Sequence, residues 1–292
     1  MKLFVFKVIK ISAIVIFLLL VLTVINSVII NYSNILVLDK SDNILILGDS
    51  QSKYAINDKL LNNVCNFSDN ADSYFYSYLK LKKIKNKNPQ IDTLLLSFSE
   101  HNIASYIEDR WLFNDTHLKS RLMFYYPLLD FYDVLFLLKE KPKSFVLNSF
   151  MQILSPLYYY QKGNNVFGGY ANLNRNNFNV EKQKFQNKSG SDNELVFAES
   201  FYEKLYLDKI KEYCDINDIT LIFISTPIHK VKRNSQNILQ RYCKEKYQDV
   251  TFLDYSGLDM QDNYFADLVH LNPKGSYYFT NLIKDNGFVQ FE

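Results

Sequence analysis

The 292-residue sequence is poor in the residues that mark several protein classes. Its three cysteines, Cys65, Cys214 and Cys243, match no metal-ligand spacing, so no metal site is expected; they read as buried thiols, with one disulfide and a spare thiol as the alternative. With eight glycines, six prolines and 48% hydrophobic residues, the chain is not of the disordered or low-complexity kind. A formal net charge of +2 offers no electrostatic footprint for nucleic acid. No internal repeat is evident. What is abundant is aromatic weight, 22 tyrosines and 23 phenylalanines, in a chain long enough for one large domain or two modest ones.

The N-terminus holds the longest apolar run. Lys2, Lys7 and Lys10 precede Ile11–Ile30, which is interrupted only by Ser12, Thr23, Asn26 and Ser27. Such a run matches the hydrocarbon core of a bilayer, about 30 Å thick. It ends in Asn26-Ser-Val-Ile-Ile-Asn-Tyr32, without a small-x-small cleavage site. Lysines before the run and none directly after it favour a signal anchor with a cytoplasmic N-terminus, with a cleaved signal peptide as the lesser alternative. Residues 1–31 are therefore expected to be a single-pass anchor in a bacterial cytoplasmic membrane. Residues 32–40 follow as a linker, and 41–292 as an extracytoplasmic domain.

Short apolar runs bounded by polar residues predict buried strands at Ile44–Leu47, Val64–Phe67, Asp92–Phe98, Thr220–Ser225 and Val250–Asp254. Helical periodicity falls at Tyr74–Lys85, Leu195–Asn217, Val231–Tyr247 and Gly275–Asn286. Strands alternating with helices predict an α/β domain with a mainly parallel sheet. Residues 108–192 differ. Met123–Lys139 and Ser144–Tyr160 are aromatic and roughly helix-periodic, and Gly163–Asn187 is polar and rich in asparagine. They predict a largely helical insertion, either a cap over a site or a second packing layer. Trp111 and the insertion's tyrosines read as sugar-stacking surfaces or as core.

Two stretches carry chemistry. Ile44-Leu-Ile-Leu-Gly-Asp-Ser50 places a serine just past a buried strand, with Gly48 allowing a sharp turn. That suits a nucleophile exposed above a sheet edge, and it suits equally an ordinary turn with a helix-capping hydroxyl. Far along the chain, Asp267-Leu-Val-His270 puts an acid and an imidazole three residues apart, on one face if the turn is helical. An aspartate on one ring nitrogen fixes the tautomer and leaves the other as a base. An exposed ion pair is the alternative reading.

Together, in this order and at opposite ends of an α/β domain, Gly48-Asp49-Ser50 and Asp267-Leu-Val-His270-Leu-Asn-Pro-Lys-Gly275 resemble the SGNH (GDSL-like) hydrolase superfamily. The resemblance implies a three-layer α/β/α fold and metal-free, cofactor-free cleavage or transfer of ester-linked acyl groups. In those roles Ser50 is the nucleophile, His270 the base and Asp267 its orienting carboxylate. It also implies an oxyanion hole made by the Ser50 N–H, an N–H after the second strand and an asparagine after the third. The family's glycine is missing from Asn66-Phe-Ser-Asp-Asn-Ala71, where Ala71 or Ser68 takes its place, harmlessly if the turn needs no positive φ. Ser99-Glu-His-Asn102 stands where Gly-x-Asn-Asp is usual, making Asn102 the expected donor. His101 and His229 are weaker candidates for lining the substrate cleft, His229 reading equally as a loop histidine without a role, and His117 is assigned to the surface.

An anchored enzyme with a large insertion is similar in architecture to SGNH proteins that move acyl groups on cell-surface polymers. The implied partners are a cell-envelope polysaccharide or lipid ester and a membrane-bound acyltransferase as acyl source. The competing expectation is a catalytically impaired SGNH-fold protein that binds glycan or assists envelope polymer assembly.

Overall fold

Three apolar runs, Ile44–Leu47, Leu94–Leu96 and Leu221–Ile224, form the centre of the sheet because both of its faces are covered there, which requires near-continuous apolar sequence rather than alternation. The edge run Thr251–Asp254, expected to be buried, is exposed at both ends and half-buried between. The computed structural model describes residues 2–188, 198–233 and 238–285. The strands are β1 Ile44–Leu47, β2 Val64–Asn66, β3 Thr93–Ser97, β4 Thr220–Ser225 and β5 Thr251–Asp254. The helices are α1 Lys2–Tyr32, α2 Ser50–Ala55, α3 Tyr74–Lys87, α4 Asp115–Tyr125, α5 Phe131–Glu140, α6 Pro142–Ser149, α7 Ser155–Lys162, α8 Phe178–Lys188, α9 Phe201–Ile216, α10 Ile238–Lys246 and α11 Pro273–Asp285. The chain divides into two units, residues 38–108 with 167–292, and residues 1–37 with 109–166.

The first unit is α/β. All strands are parallel, in the order β2-β1-β3-β4-β5. Ile44, Ile46, Leu95, Ile222 and Ile224 share one core cluster with Ala55 of α2 and with Phe279 and Ile283 of α11. The intervening Leu45, Leu47, Leu94, Leu96 and Phe223 are buried on the opposite face, where α3 packs on α9 and α9 on β4. Phe98 stacks on Phe223 at 4.6 Å between ring centroids. This is the expected three-layer α/β/α arrangement. Because β1 lies between β2 and β3, the loops leaving β1 and β3 diverge at its carboxyl end, the position where open α/β sheets form sites.

The second unit combines α1 with α4–α7. Leu118 and Leu122 of α4, Leu137 of α5, Phe145 of α6 and Tyr159 of α7 are its buried anchors. α1 is long and apolar enough to cross a membrane. Its Asn26, 1% exposed, donates to the Gln152 carbonyl at 2.9 Å.

Several boundaries differ from those read in the sequence, for local reasons. Met123–Lys139 is not one helix. Pro127, lacking a donor N–H, sits in the 3-10 turn Tyr126–Leu128, and α5 restarts after its Asp130 cap, whose carboxylate accepts from Asp133 N–H at 2.9 Å. Ser144–Tyr160 is likewise divided by the 3-10 segment Phe150–Leu154, with Pro156 in the first turn of α7. α9 begins after Ser200, whose hydroxyl caps Glu203 N–H at 2.9 Å; residues 195–197 lie outside the described residues. Lys230–Lys232 is a 3-10 turn rather than the start of a long helix, α10 opens at Ile238, and 234–237 and Asn286 lie outside the described residues. The stretch 167–188, read as part of the insertion, belongs to the α/β unit, and its α8 was not marked by periodicity.

Candidate active site

β1 ends on Gly48, whose φ of +147° few side chains tolerate and whose added Cβ would fall 2.1 Å from Ser97 Cβ. Glycine is therefore obligatory there. The turn delivers Asp49 as the cap of α2, its carboxylate accepting from Gln51 N–H at 2.9 Å, and Ser50 as the first helical residue. At the other end of the chain, an antiparallel bridge between Phe265 and Leu271 pinches off a tight loop. Within it Asp267 Oδ1 accepts from the N–H groups of Val269 at 3.0 Å and His270 at 2.9 Å. The acid and imidazole thus meet in a carboxylate-capped loop, not on a helical face.

The three residues form one chain of hydrogen bonds. Ser50 Oγ lies 2.8 Å from His270 Nε2, and His270 Nδ1 lies 2.9 Å from both Asp267 oxygens. Burial works against the charge of Asp267. The hydrogen bond and charge of His270, the Val269 N–H and the Arg175 guanidinium outweigh it and hold the carboxyl far below its usual range. Tyr54 sets its ring edge-to-face on His270 at 5.6 Å between centroids, restricting the imidazole's rotation.

The proposed oxyanion donors fare differently. Ser50 N–H opens α2 and so has no intrahelical acceptor. Ala71 N–H makes no hydrogen bond among the described residues. Ala71 also has φ +51°, so the turn does need the left-handed conformation that glycine adopts freely. The alanine is strained by roughly 1 kcal/mol rather than harmless. Ser68 is excluded as a donor: it is fully buried, its N–H donates to Asn66 Oδ1 at 2.8 Å and its hydroxyl accepts from Ser52 at 2.8 Å. Asn102 is buried, and its Nδ2 donates to Asp49 Oδ2 at 3.0 Å while its Oδ1 accepts from Ser99 N–H at 3.0 Å.

Both candidate cleft histidines have their ring nitrogens engaged by the protein. His101 Nε2 hydrogen-bonds Asp49 Oδ2, and its Nδ1 lies 3.2 Å from Ser99 Oγ. Both ring nitrogens serve the loops beside Ser50. Burial would raise the Asp49 carboxyl, but the charge and hydrogen bond of His101, with Asn102 and the Gln51 N–H, bring it to about 2. His229 is 1% exposed, with Nε2 3.0 Å from Asp262 Oδ1 and Nδ1 accepting from Val231 N–H at 3.3 Å, between the edges of Phe178 and Phe265. Its backbone N–H donates to the Leu268 carbonyl at 3.0 Å, so it braces the Asp267–His270 loop instead of meeting substrate.

Arg175 was not anticipated. Its Nη2 donates to Asp267 Oδ2 and lies 3.5 Å from His270 Nδ1, with the side chain about half exposed. It comes from an irregular asparagine-rich stretch with no periodicity or motif to mark it. Phe167-Gly-Gly169 fixes one end of that stretch: Gly169 N–H donates to the Ser68 carbonyl at 3.0 Å, and buried Lys80 donates to the Phe167 carbonyl at 3.2 Å.

No family model and no curated protein matches the sequence. Among solved structures the chain is similar to a Streptococcus pneumoniae protein provisionally named a platelet activating factor, at 12% identity over 97% of this chain and 98% of that one, with a TM-score of 0.39. It is also similar to a Bacteroides fragilis protein provisionally named an acylhydrolase, at 11% identity, coverage of 83% and 85% and a TM-score of 0.36. A GDSL-like lipase from Bacteroides thetaiotaomicron gives 10% identity, coverage of 85% and 89% and a TM-score of 0.36. The chain's own layers, with Gly-Asp-Ser closing the first strand and Asp-x-x-His ahead of the last helix, define the architecture. The fold is SGNH-like.

Proposed function

We propose that this protein is a serine-dependent acyl-ester enzyme. The observation that carries the reading is the continuous link from Ser50 Oγ through His270 to Asp267, at 2.8 and 2.9 Å. Ser50 Oγ attacks the ester carbonyl carbon while His270 Nε2 takes its proton, and Asp267 stabilises the resulting imidazolium. The N–H groups of Ser50 and Ala71 stand as donors to the oxyanion. Asn102 reaches it only with the amide hydrogen not given to Asp49. As the tetrahedral intermediate collapses, the departing alkoxide takes the proton from His270 and the acyl group stays on Ser50. Water, or an acceptor hydroxyl, then attacks with His270 again as base. Hydrolysis and transfer share every residue and differ only in that acceptor.

The apolar α1 supports an anchored enzyme, with the α/β unit outside the cytoplasmic membrane. Such a position suits an ester on a cell-envelope polysaccharide or lipid as substrate and, for transfer, a membrane-bound acyltransferase as donor. Full-length protein in detergent, assayed with p-nitrophenyl acetate, tests the chemistry. Ser50→Ala is expected to lower kcat by about 10⁴-fold or more. Turnover equal in wild type and variant would exclude Ser50 as nucleophile and leave the glycan-binding alternative.

A further inference from the structure

The unit built on α1 carries an apolar surface that the proposed chemistry does not use. Phe131 and Leu135 of α5, Leu147 of α6, Ile153 of the 3-10 segment, and Leu157 and Tyr160 of α7 are between 46% and 90% exposed. Single exposed leucines are ordinary, but six large apolar side chains on four consecutive elements are not.

Their depth follows from α1. At about 1.5 Å per residue, Asn26 lies about 6 Å and Thr23 about 10 Å inside the end of the apolar run at Ile30. A bare asparagine amide in hydrocarbon costs several kcal/mol. Here Asn26 Nδ2 donates to the Gln152 carbonyl at 2.9 Å, and Thr23 Oγ1, which donates to the Leu19 carbonyl at 2.8 Å, lies 3.3 Å from Gln152 Oε1. The segment Phe150–Leu154 that carries Gln152 therefore meets α1 at the level of its apolar run, and Ile153, its neighbour in sequence, faces outward at that level. Tyr126–Leu128 and α7 pack on α1 beside it. The same two helices, α5 and α6, carry exposed Lys139, 3.4 Å from Glu140, and exposed Lys143, cations suited to anionic head groups.

We infer that the helices α5–α7 are seated in the outer leaflet of the bilayer that α1 crosses, so that this unit is a membrane-embedded module rather than a soluble appendage. The inference rests on α1 being an uncleaved anchor. Its occupant is the acyl-chain and head-group boundary of that bilayer, and it makes Asn26 and Gln152 a polar contact between two membrane elements.

Brominated-lipid quenching of single tryptophans in the full-length chain tests it. In a Trp111→Phe background, Leu157→Trp and Ile153→Trp report the surface, Val24→Trp reports α1, and Ile216→Trp on α9 is the aqueous control. Each site is exposed, so the fold is retained. In phosphatidylethanolamine–phosphatidylglycerol vesicles containing dibromo-phosphatidylcholine, the first three are expected to lose about half their emission or more and Ile216→Trp less than about a tenth. Quenching at Val24→Trp with none at Leu157→Trp or Ile153→Trp would overturn the inference and leave the anchor standing. No quenching at Val24→Trp would remove the anchor and the inference together. Shielding of Leu157→Trp from acrylamide without lipid quenching would mean that protein covers the surface, which also overturns it.

Discussion

Two imidazole–carboxylate pairs flank Ser50, and they do opposite things with the same chemistry. In the Asp267–His270 pair the carboxylate takes Nδ1, leaving Nε2 against the serine hydroxyl. In the Asp49–His101 pair the carboxylate takes Nε2, and Nδ1 faces Ser99. The first pair is 13% exposed at its imidazole and ends on the Ser50 hydroxyl. The second has a fully buried carboxylate that also caps α2, the helix that Ser50 opens. On the proposed chemistry, which ring nitrogen the aspartate occupies separates a base from a brace.

The largest effect that sharpens this contrast is on His270. His270→Ala is expected to lower kcat/KM on p-nitrophenyl acetate by about 10⁴-fold or more, whereas His101→Ala lowers it by only about tenfold through a loosened nucleophile turn. Equal losses would erase the distinction. Next comes Asp267→Asn, expected to lower kcat by about 10³–10⁴-fold by removing the charge that orients and stabilises the imidazolium. Retained activity would show that the Asp267 charge is not needed at His270.

The brace shows in stability. The Asp49 carboxyl is held at about 2 against an ordinary 3.8, so its folded value lies below its unfolded one. Its contribution, of order 2 kcal/mol, is complete above about pH 4 and is lost as pH falls through about 2. Denaturant midpoints measured across that window should fall in the wild type and fall less steeply in Asp49→Asn. Parallel curves would remove Asp49 as a source of the acid sensitivity. Smallest is Ala71→Gly, which relieves a left-handed alanine and is expected to raise stability by about 0.5–1 kcal/mol. A loss of stability would mean that the methyl group's packing outweighs the strain.

The sequence made the Asp267–His270 pair legible and the brace illegible, for a physical reason. Asp267 and His270 are close in the chain, and Ser50 is marked by the apolar run and glycine before it. Asp49 and His101 meet only because β1 and β3 pair in parallel, with Leu47 opposite Leu96, which brings the two following loops together. No local pattern encodes that register. The layers were readable because doubly covered strands are uninterrupted runs of Ile and Leu. The helices of residues 109–166 were readable as helical but not in their breaks, since Pro127 and Pro156 fall where aromatic periodicity continues past them. Ala71 concealed its conformation because a glycine would have announced it. Arg175 lies in a stretch without periodicity, and only the fold carries it to Asp267.

The most direct measurement is the rate at which a fluorophosphonate probe labels Ser50 in the full-length wild type, in His270→Ala and in His101→Ala. The expected result is rapid labelling of the wild type, labelling of His101→Ala within about tenfold of it, and essentially none of His270→Ala. An unlabelled wild type, or His270→Ala labelled as fast as His101→Ala, would contradict the assignment of His270 as the base that activates Ser50.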